Sequence, residues 1–202
     1  SSCYLPHAVN PVFFHPFKTE EEKDHVKQLR ERVLSSTVNH KNPNKKIFFW
    51  NNRNARRKQS GTIIWWFKEF LDEVGHDKAT LLMHTDAVDQ HGQDLPHIIN
   101  HLGVNDGQVL LSTSKVDAMQ LAGMCNVADF TINISDAEGF GLSTLESLSC
   151  GTPIIVNMTG GLQEQVTDGE NWFGWGIQPA SKAVIGSLQV PYIYEDRISQ
   201  ED

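Results

Sequence analysis

The sequence is short of positive charge. Of its 202 residues, 17 are Lys or Arg and 25 are Asp or Glu, which gives a formal net charge of −8. General binders of nucleic acid or of anionic membranes need a broad positive potential, and this composition argues against both functions. Any anionic ligand must therefore be met by a local group of cations.

Cysteines and long apolar segments are also scarce. Cys3, Cys125 and Cys150 are odd in number and lack metal-ligand spacing, which suits a reducing compartment better than a disulfide framework. No apolar run is long enough to cross a bilayer, and no signal peptide opens the chain. We expect a cytoplasmic protein with free and mostly buried thiols.

The chain does contain a regular alternation of short apolar runs and helix-length segments. The runs "KKIFFW", "ATLLMH", "QVLLS", "DFTINIS" and "TPIIVN" are typical of buried strands. The alternation predicts an α/β, Rossmann-like parallel sheet with helices on both faces. Residues 1–18 are rich in proline and aromatics, which predicts an extended linker. Thr19 and Glu22 form a capping-box pattern, so a domain over 19–202 begins with a helix.

A basic loop follows the predicted strand that ends at Trp50. Arg53, Arg56, Arg57 and Lys58 lie within six positions of an otherwise acidic chain. Guanidinium and ammonium groups are suited to the oxygens of a diphosphate. The alternative is a solvated basic helix start. Which of the three arginines would contact the ligand is left open.

A glycine-flanked loop follows a later strand, in "DAEGFGLSTLESLSCGTP". Gly139 and Gly141 allow a ligand to approach the backbone, and the amides that open the next helix attract anions. Glu138 precedes this helix, and Glu146 lies inside it on the flank of the buried face. That placement assumes that three leucines turn toward the sheet, namely Leu142, Leu145 and Leu148. The alternative is an ordinary strand-loop-helix unit with glycines for tight packing.

Two further patterns carry weaker predictions. Gly160 and Gly161 indicate a turn with freely accessible backbone amides, which is a possible second anion contact. Trp65 and Trp66 lie in a central apolar helix, which favours core packing over membrane anchoring.

The motifs together resemble the retaining family-4 glycosyltransferases with the GT-B fold. The resemblance rests on "EGFGLSTLESLSCGTPII", on "GGLQEQVTDGEN" after it, on "YLPHAVNP", and on the spacing of Arg53 and Lys58; it runs from about Tyr4 to about Pro179. It implies that the chain is the C-terminal, donor-binding half of a GT-B fold. The N-terminal acceptor domain and the final C-terminal helix are then absent from these 202 residues.

The resemblance also implies roles for individual residues. Arg53 and Lys58 would bind the diphosphate of a nucleotide sugar, with the backbone around Gly141 and Leu142. Glu146 would hold the ribose hydroxyls. The residues beside the transferred sugar would be Glu138, as the catalytic residue, Gly139 and Phe140. The loop from Thr113 to Val116 would line the base.

The same resemblance implies a metal-independent transfer with retention, in which the nucleotide diphosphate sugar is a donor substrate and no cofactor takes part. No acidic metal-binding DxD pattern is visible, and His97 and His101 lack a third ligand at a usual spacing. We expect the isolated chain to bind donor without transferring sugar. The acceptor, whether glycan, lipid or protein, is open, and any association with a membrane would come through the absent domain.

Two alternatives remain at this stage. Ala8 and Asn10 replace the Gly and Asp that are commoner in the family's linker, and "NNRNARRKQ" departs from its usual basic loop. These departures favour a non-catalytic nucleotide-binding or interaction module on the same fold. A nucleotide-sugar epimerase is the third hypothesis, but the family-4 signature is the wrong pattern for it.

Overall fold

A computed structural model describes residues 6–189 and 192–201. Cys3, the first residues of "YLPHAVNP" and the final residue lie outside the described part. The helices are α1 (Glu20–Leu34), α2 (Ser60–Val74), α3 (Leu95–His101), α4 (Ala118–Val127), α5 (Leu142–Ser149) and α6 (Leu162–Val166). The strands are β1 (Lys46–Asn51), β2 (Ala79–His84), β3 (Val109–Ser112), β4 (Phe130–Asn133), β5 (Ile154–Asn157), β6 (Gly174–Ile177), β7 (Ser181–Ile185) and β8 (Ile193–Arg197).

Six strands form one parallel sheet in the order β3-β2-β1-β4-β5-β6. Strand β1 lies at the point where the order reverses, because β2 pairs on one side of it and β4 on the other. This is the doubly wound arrangement, and it confirms the predicted Rossmann-like α/β fold. Strands β7 and β8 form a separate antiparallel pair.

The two faces of the sheet are packed by different helices because successive side chains of a strand point to opposite faces. Phe48 and Trp50 of β1 pack in a cluster with α2 and α3. Ile47 and Phe49 belong to a second cluster with α1, α4 and the end of α5. Strand β1 therefore carries apolar side chains on both faces, as its continuous apolar run predicts.

Helix α2 corrects the expectation for the tryptophans. Trp66 is partly buried against the core, but the side chain of Trp65 is 45% exposed. The inward face of α2 is already occupied by Ile63, Ile64 and Phe67. Successive residues of a helix are rotated by about 100° about its axis, so Trp65 projects from the side of α2 opposite to Ile63. Core packing is thus right for Trp66 and wrong for Trp65.

The segment before α1 runs without helix or strand over residues 6–18 and packs on the second cluster. Phe14 is buried there, and Asn126 of α4 accepts a hydrogen bond from the Phe17 amide at 2.9 Å. Thr19 and Glu22 form the predicted capping box at the start of α1.

The β7–β8 hairpin lies across the carboxyl ends of the sheet. The Asp196 amide donates to the Asp136 carbonyl at 2.8 Å. Asn157, at the end of β5, donates to the Asp196 carbonyl at 2.6 Å, and the Thr159 hydroxyl donates to the Asp196 carboxylate at 2.8 Å. The hairpin therefore joins the loops that follow β4 and β5.

Across residues 6–189 and 192–201, no helix combines the length and the apolar character needed to cross a membrane. Over the same residues, no group of three or more His, Cys, Asp or Glu side chains is placed to hold a metal ion.

Candidate functional site

The basic loop and the glycine-flanked loop meet at the point where the strand order reverses. The first follows β1 and the second follows β4, and these two strands are neighbours in the sheet. The Asp136 amide donates to the Arg57 carbonyl at 2.8 Å, and Gln59 donates to the Asp136 carboxylate at 2.6 Å. The two loops that sequence reasoning singled out are thus joined directly.

Lys58 and Glu138 form a buried ion pair at this junction. The Lys58 side chain is 8% exposed and that of Glu138 is 12% exposed. A short 3-10 turn over Arg56–Lys58, followed by Gln59 in the left-handed region (φ 58°), aims the ammonium group inward. Burial lowers the pKa of Lys58, and the nearby Glu138 carboxylate opposes that shift. The site therefore joins a desolvated cation to a carboxylate.

The three arginines of the basic loop each have a different partner. Arg53 donates to Asp89 at 3.1 Å, and Arg57 donates to the Ala137 carbonyl at 2.6 Å. Arg56 makes two hydrogen bonds to Glu195 of the hairpin, at 3.1 Å and 2.5 Å.

The Glu195 side chain is fully buried. Its burial opposes ionisation, but the hydrogen bonds from Arg56 and Arg197 outweigh that effect and lower its pKa. The hairpin thus holds Arg56 in place. Sequence reasoning missed Glu195, since no motif signals it.

The two glycines of the glycine-flanked loop, Gly139 and Gly141, differ in the space around them. Gly141 has φ 88°, and a Cβ atom there would lie 2.7 Å from the Leu162 side chain, so the fold itself requires glycine. A Cβ atom on Gly139 would meet nothing within 4 Å. Internal packing therefore does not explain Gly139, and its surface is open to a ligand.

Helix α6 holds the glycine-flanked loop by its backbone. The Gln165 side chain donates to the carbonyls of Phe140 at 2.6 Å and Gly141 at 3.0 Å. The Thr144 hydroxyl donates to the Gln165 amide oxygen at 2.6 Å. These contacts fix the loop immediately before α5.

Gly161 corrects part of the expectation of accessible amides. The Gly161 amide donates to the Gly139 carbonyl at 3.2 Å. A Cβ atom on Gly160 would lie 1.7 Å from the Glu138 carbonyl oxygen, and one on Gly161 would lie 2.7 Å from Phe140. The two glycines therefore serve close backbone packing, and the Gly161 amide is already engaged.

Helix α5 departs in part from the sequence prediction, because its most buried residues are small and polar. Its buried residues are Thr144 and Ser147, and the Thr131 hydroxyl donates to Ser147 at 2.8 Å. Leu142 is instead 48% exposed. Small side chains let the helix lie close to the sheet. Leu148 does pack, as predicted, against the core cluster that includes Ile154 of β5, so the prediction is wrong at Leu142 and confirmed at Leu148.

Glu146 occupies the intermediate position that was predicted for it. Its side chain is half-buried, and burial raises its pKa from 4.5 to about 7. Among the described residues, no hydrogen bond or ion pair satisfies its carboxylate. A desolvated carboxylate of this kind is suited to accept hydrogen bonds from a ligand.

Thr113 and Val116 lie after β3, at the same edge of the sheet but two strands away from β1. Thr113 is exposed and Val116 is partly buried. Within the described part of the chain, no hydrogen bond joins either residue to Lys58 or Glu138. The sequence analysis did not single out His84, which ends β2. Its Nδ1 lies 3.1 Å from the Ser112 hydroxyl, and burial lowers its pKa.

Comparison with known sequences identifies the family. The sequence model of the glycosyl transferases group 1 matches residues 34–186. The chain belongs to this family. It is 38% identical over 109 residues to a D-inositol 3-phosphate glycosyltransferase of Arthrobacter. The aligned part is 54% of this chain and 25% of that relative. The chain is 33% identical over 79 residues to a trehalose synthase of Pyrococcus horikoshii, covering 39% and 19%.

The group 1 chain thus spans a quarter or less of the length of these curated relatives. Among solved structures, sucrose-phosphate synthase from Thermosynechococcus elongatus aligns with TM-score 0.64 and 23% identity, covering 86% of this chain and 38% of that one. The Anabaena protein HepE in complex with UDP-glucose aligns with TM-score 0.65 and 18% identity, covering 86% and 42%. These similarities establish a shared GT-B-type fold for this domain.

Proposed function

We propose that this chain is the nucleotide-sugar-binding half of a retaining glycosyltransferase of the family-4 type. It binds a nucleotide diphosphate sugar, and the longer protein transfers the sugar to an acceptor. The observation that carries the proposal is the meeting of Lys58 and Glu138 beside the opening of α5. A cation suits the diphosphate there, and a carboxylate suits the sugar hydroxyls.

Three further observations support the same ligand. The first turn of α5 begins at Gly141, which has no side chain to cap its amides, so those amides can take a phosphate oxygen. Within residues 6–189 and 192–201, the half-buried Glu146 carboxylate has no hydrogen-bond or ion-pair partner, as a ribose-binding group would before its ligand arrives. Gly139 leaves open the space that a sugar ring would occupy.

The chemistry follows from charge. When the bond from the anomeric carbon to the diphosphate breaks, negative charge builds on the leaving phosphate oxygens. In this proposal Lys58, an arginine of the basic loop and the amides of α5 stabilise that charge, which lowers the barrier. Retention, independence from metal and a cytoplasmic location are parts of the proposal that come from the resemblance and the composition.

The titration of nucleotide sugars against the purified chain tests this function. UDP-glucose is the first probe, followed by ADP- and GDP-sugars, with heat measured by calorimetry. We expect saturable binding without transfer. Lys58→Ala and Glu146→Ala should each weaken binding by about tenfold or more. Lys46→Ala is the matched lysine control, because Lys46 pairs with Asp129 at the amino end of β1.

The absence of saturable binding for every nucleotide sugar would refute the proposal. Equal losses in Lys46→Ala and Lys58→Ala would refute the assignment of the site. Beyond the sequence departures at Ala8, Asn10 and the basic loop, neither the described structure nor the comparisons add an observation that favours the non-catalytic module.

A further inference from the structure

We propose that Glu138 competes with the diphosphate for the Lys58 ammonium group, so that the site distinguishes a sugar-bearing nucleotide from the spent nucleoside diphosphate. This inference rests on the proposed function and concerns the selectivity of the same site. Glu138 acts in two ways: it accepts hydrogen bonds from the sugar of the donor, and it holds Lys58 when no sugar is present.

The ion pair itself is the first step of the argument. Glu138 is the partner that the described structure gives to the Lys58 ammonium group, and both side chains are almost fully buried. A diphosphate at the mouth of α5 needs the same ammonium group. Two anions would then share one desolvated cation, and they repel each other strongly where water is scarce.

The second step is that the loop backbone cannot move away to relieve this repulsion. The Glu138 carbonyl lies against Gly160, where even a Cβ atom would overlap it at 1.7 Å. The loop that follows is held by Gln165 through the carbonyls of Phe140 and Gly141. Relief must therefore come from the Glu138 side chain.

The third step concerns what the side chain can do once it leaves Lys58. Sugar hydroxyls donate hydrogen bonds to a carboxylate and replace the lost ion pair. A nucleoside diphosphate has hydroxyls only on its ribose, which Glu146 would hold, and none at the position of the transferred sugar. Binding of the donor is thus favoured over binding of the product. After transfer, Glu138 recaptures Lys58, and this competition promotes release of the spent nucleotide.

The test compares the affinities of UDP and UDP-glucose. If an ADP- or GDP-sugar binds the unaltered chain more tightly than UDP-glucose, that sugar and its nucleoside diphosphate are used instead. In Glu138→Gln we expect UDP to bind about fivefold more tightly or better, because its competitor is gone. The affinity for UDP-glucose should increase less than that for UDP, or should decrease, so that the preference for the sugar-bearing nucleotide becomes smaller. Glu138→Asp keeps the charge but shortens the side chain, and it should shift UDP binding in the same direction.

A double-mutant cycle separates competition from simple charge repulsion. In a Lys58→Gln background, Glu138→Gln should change the affinity for UDP by less than about twofold. Asp129→Asn is the control for loss of a partly buried acid, since Asp129 bridges Arg30 and Lys46 at the opposite edge of the sheet. It should leave both affinities within about twofold of the unaltered chain.

Three results would overturn the inference: unchanged or weaker UDP binding in both Glu138 variants, persistence of the full gain without Lys58, or an equal gain in Asp129→Asn. If the unaltered chain binds neither nucleotide, the proposed function itself fails. That outcome is distinct from all three.

Discussion

Glu146 allows a quantitative prediction, because its carboxylate is half-buried and has no partner among the described residues. Burial raises its pKa from 4.5 to about 7, so the folded chain binds this proton more tightly than the unfolded chain does. As the pH rises from 4.5 through 7, the unfolded chain ionises first, and the contribution of Glu146 to stability is lost. Above pH 7 the charged carboxylate destabilises the fold by a constant amount.

The size of this effect follows from the two pKa values. At about 1.4 kcal/mol per pH unit, the difference between 4.5 and about 7 sets a ceiling of about 3–4 kcal/mol. Glu146 is only half-buried, and solvent screens its charge, so we expect about 1 kcal/mol. The neutral variant Glu146→Gln should therefore be about 1 kcal/mol more stable than the unaltered chain at pH 8.5, with the difference shrinking toward zero at pH 4.5.

Urea unfolding followed by circular dichroism at pH 4.5, 7 and 8.5 measures this difference, and the titration of all other groups cancels between the two proteins. At pH 7, binding of UDP-glucose should also release a proton from Glu146, because hydroxyl donors favour the charged carboxylate. Calorimetry in buffers with different ionisation enthalpies detects that proton. A variant that is equally stable at every pH, or less stable at pH 8.5, would refute the reasoning.

Two other variants test separate parts of the site. Gly139→Ala should leave the thermal unfolding temperature nearly unchanged but weaken the binding of UDP-glucose by about fivefold or more, since its Cβ enters open space that the ligand needs. The control is Gly160→Ala, whose Cβ overlaps the Glu138 carbonyl and should instead destabilise the fold. The reverse pattern would contradict the assignment. Glu195→Gln should lower the free energy of unfolding in urea by about 1–3 kcal/mol, because it weakens the bonds to Arg56 in a buried position; a neutral result would show that the hairpin is held mainly by other contacts.

Much of the sheet could be predicted from sequence because parallel strands buried on both faces are continuous apolar runs. The run that contains Ile47 and Phe49 is an example, and the capping box at Thr19 located α1 equally well. Lys58 and Glu138 could be placed in one site because the carboxyl ends of neighbouring parallel strands meet at one edge. Their roles toward a nucleotide sugar remain predictions.

The rest depends on tertiary contacts that have no local pattern. The hairpin was missed because its strands carry mixed polar and apolar residues, and it is held by contacts such as that of Glu195 with a distant arginine. The prediction for α5 was wrong at Leu142 and right at Leu148, because leucine spacing alone was taken to mark the buried face, whereas close approach to the sheet also selects Thr144 and Ser147. The prediction for Trp65 was wrong because α2 has more apolar residues than its inward face can bury.

The grip of Gln165 on the loop has an evolutionary consequence. It bonds to main-chain oxygens of Phe140 and Gly141, which every amino acid possesses. These two bonds therefore do not depend on which side chain stands at position 140. If Phe140 lies beside the transferred sugar, as proposed, its side chain can differ among related proteins without loss of the two bonds that hold this loop.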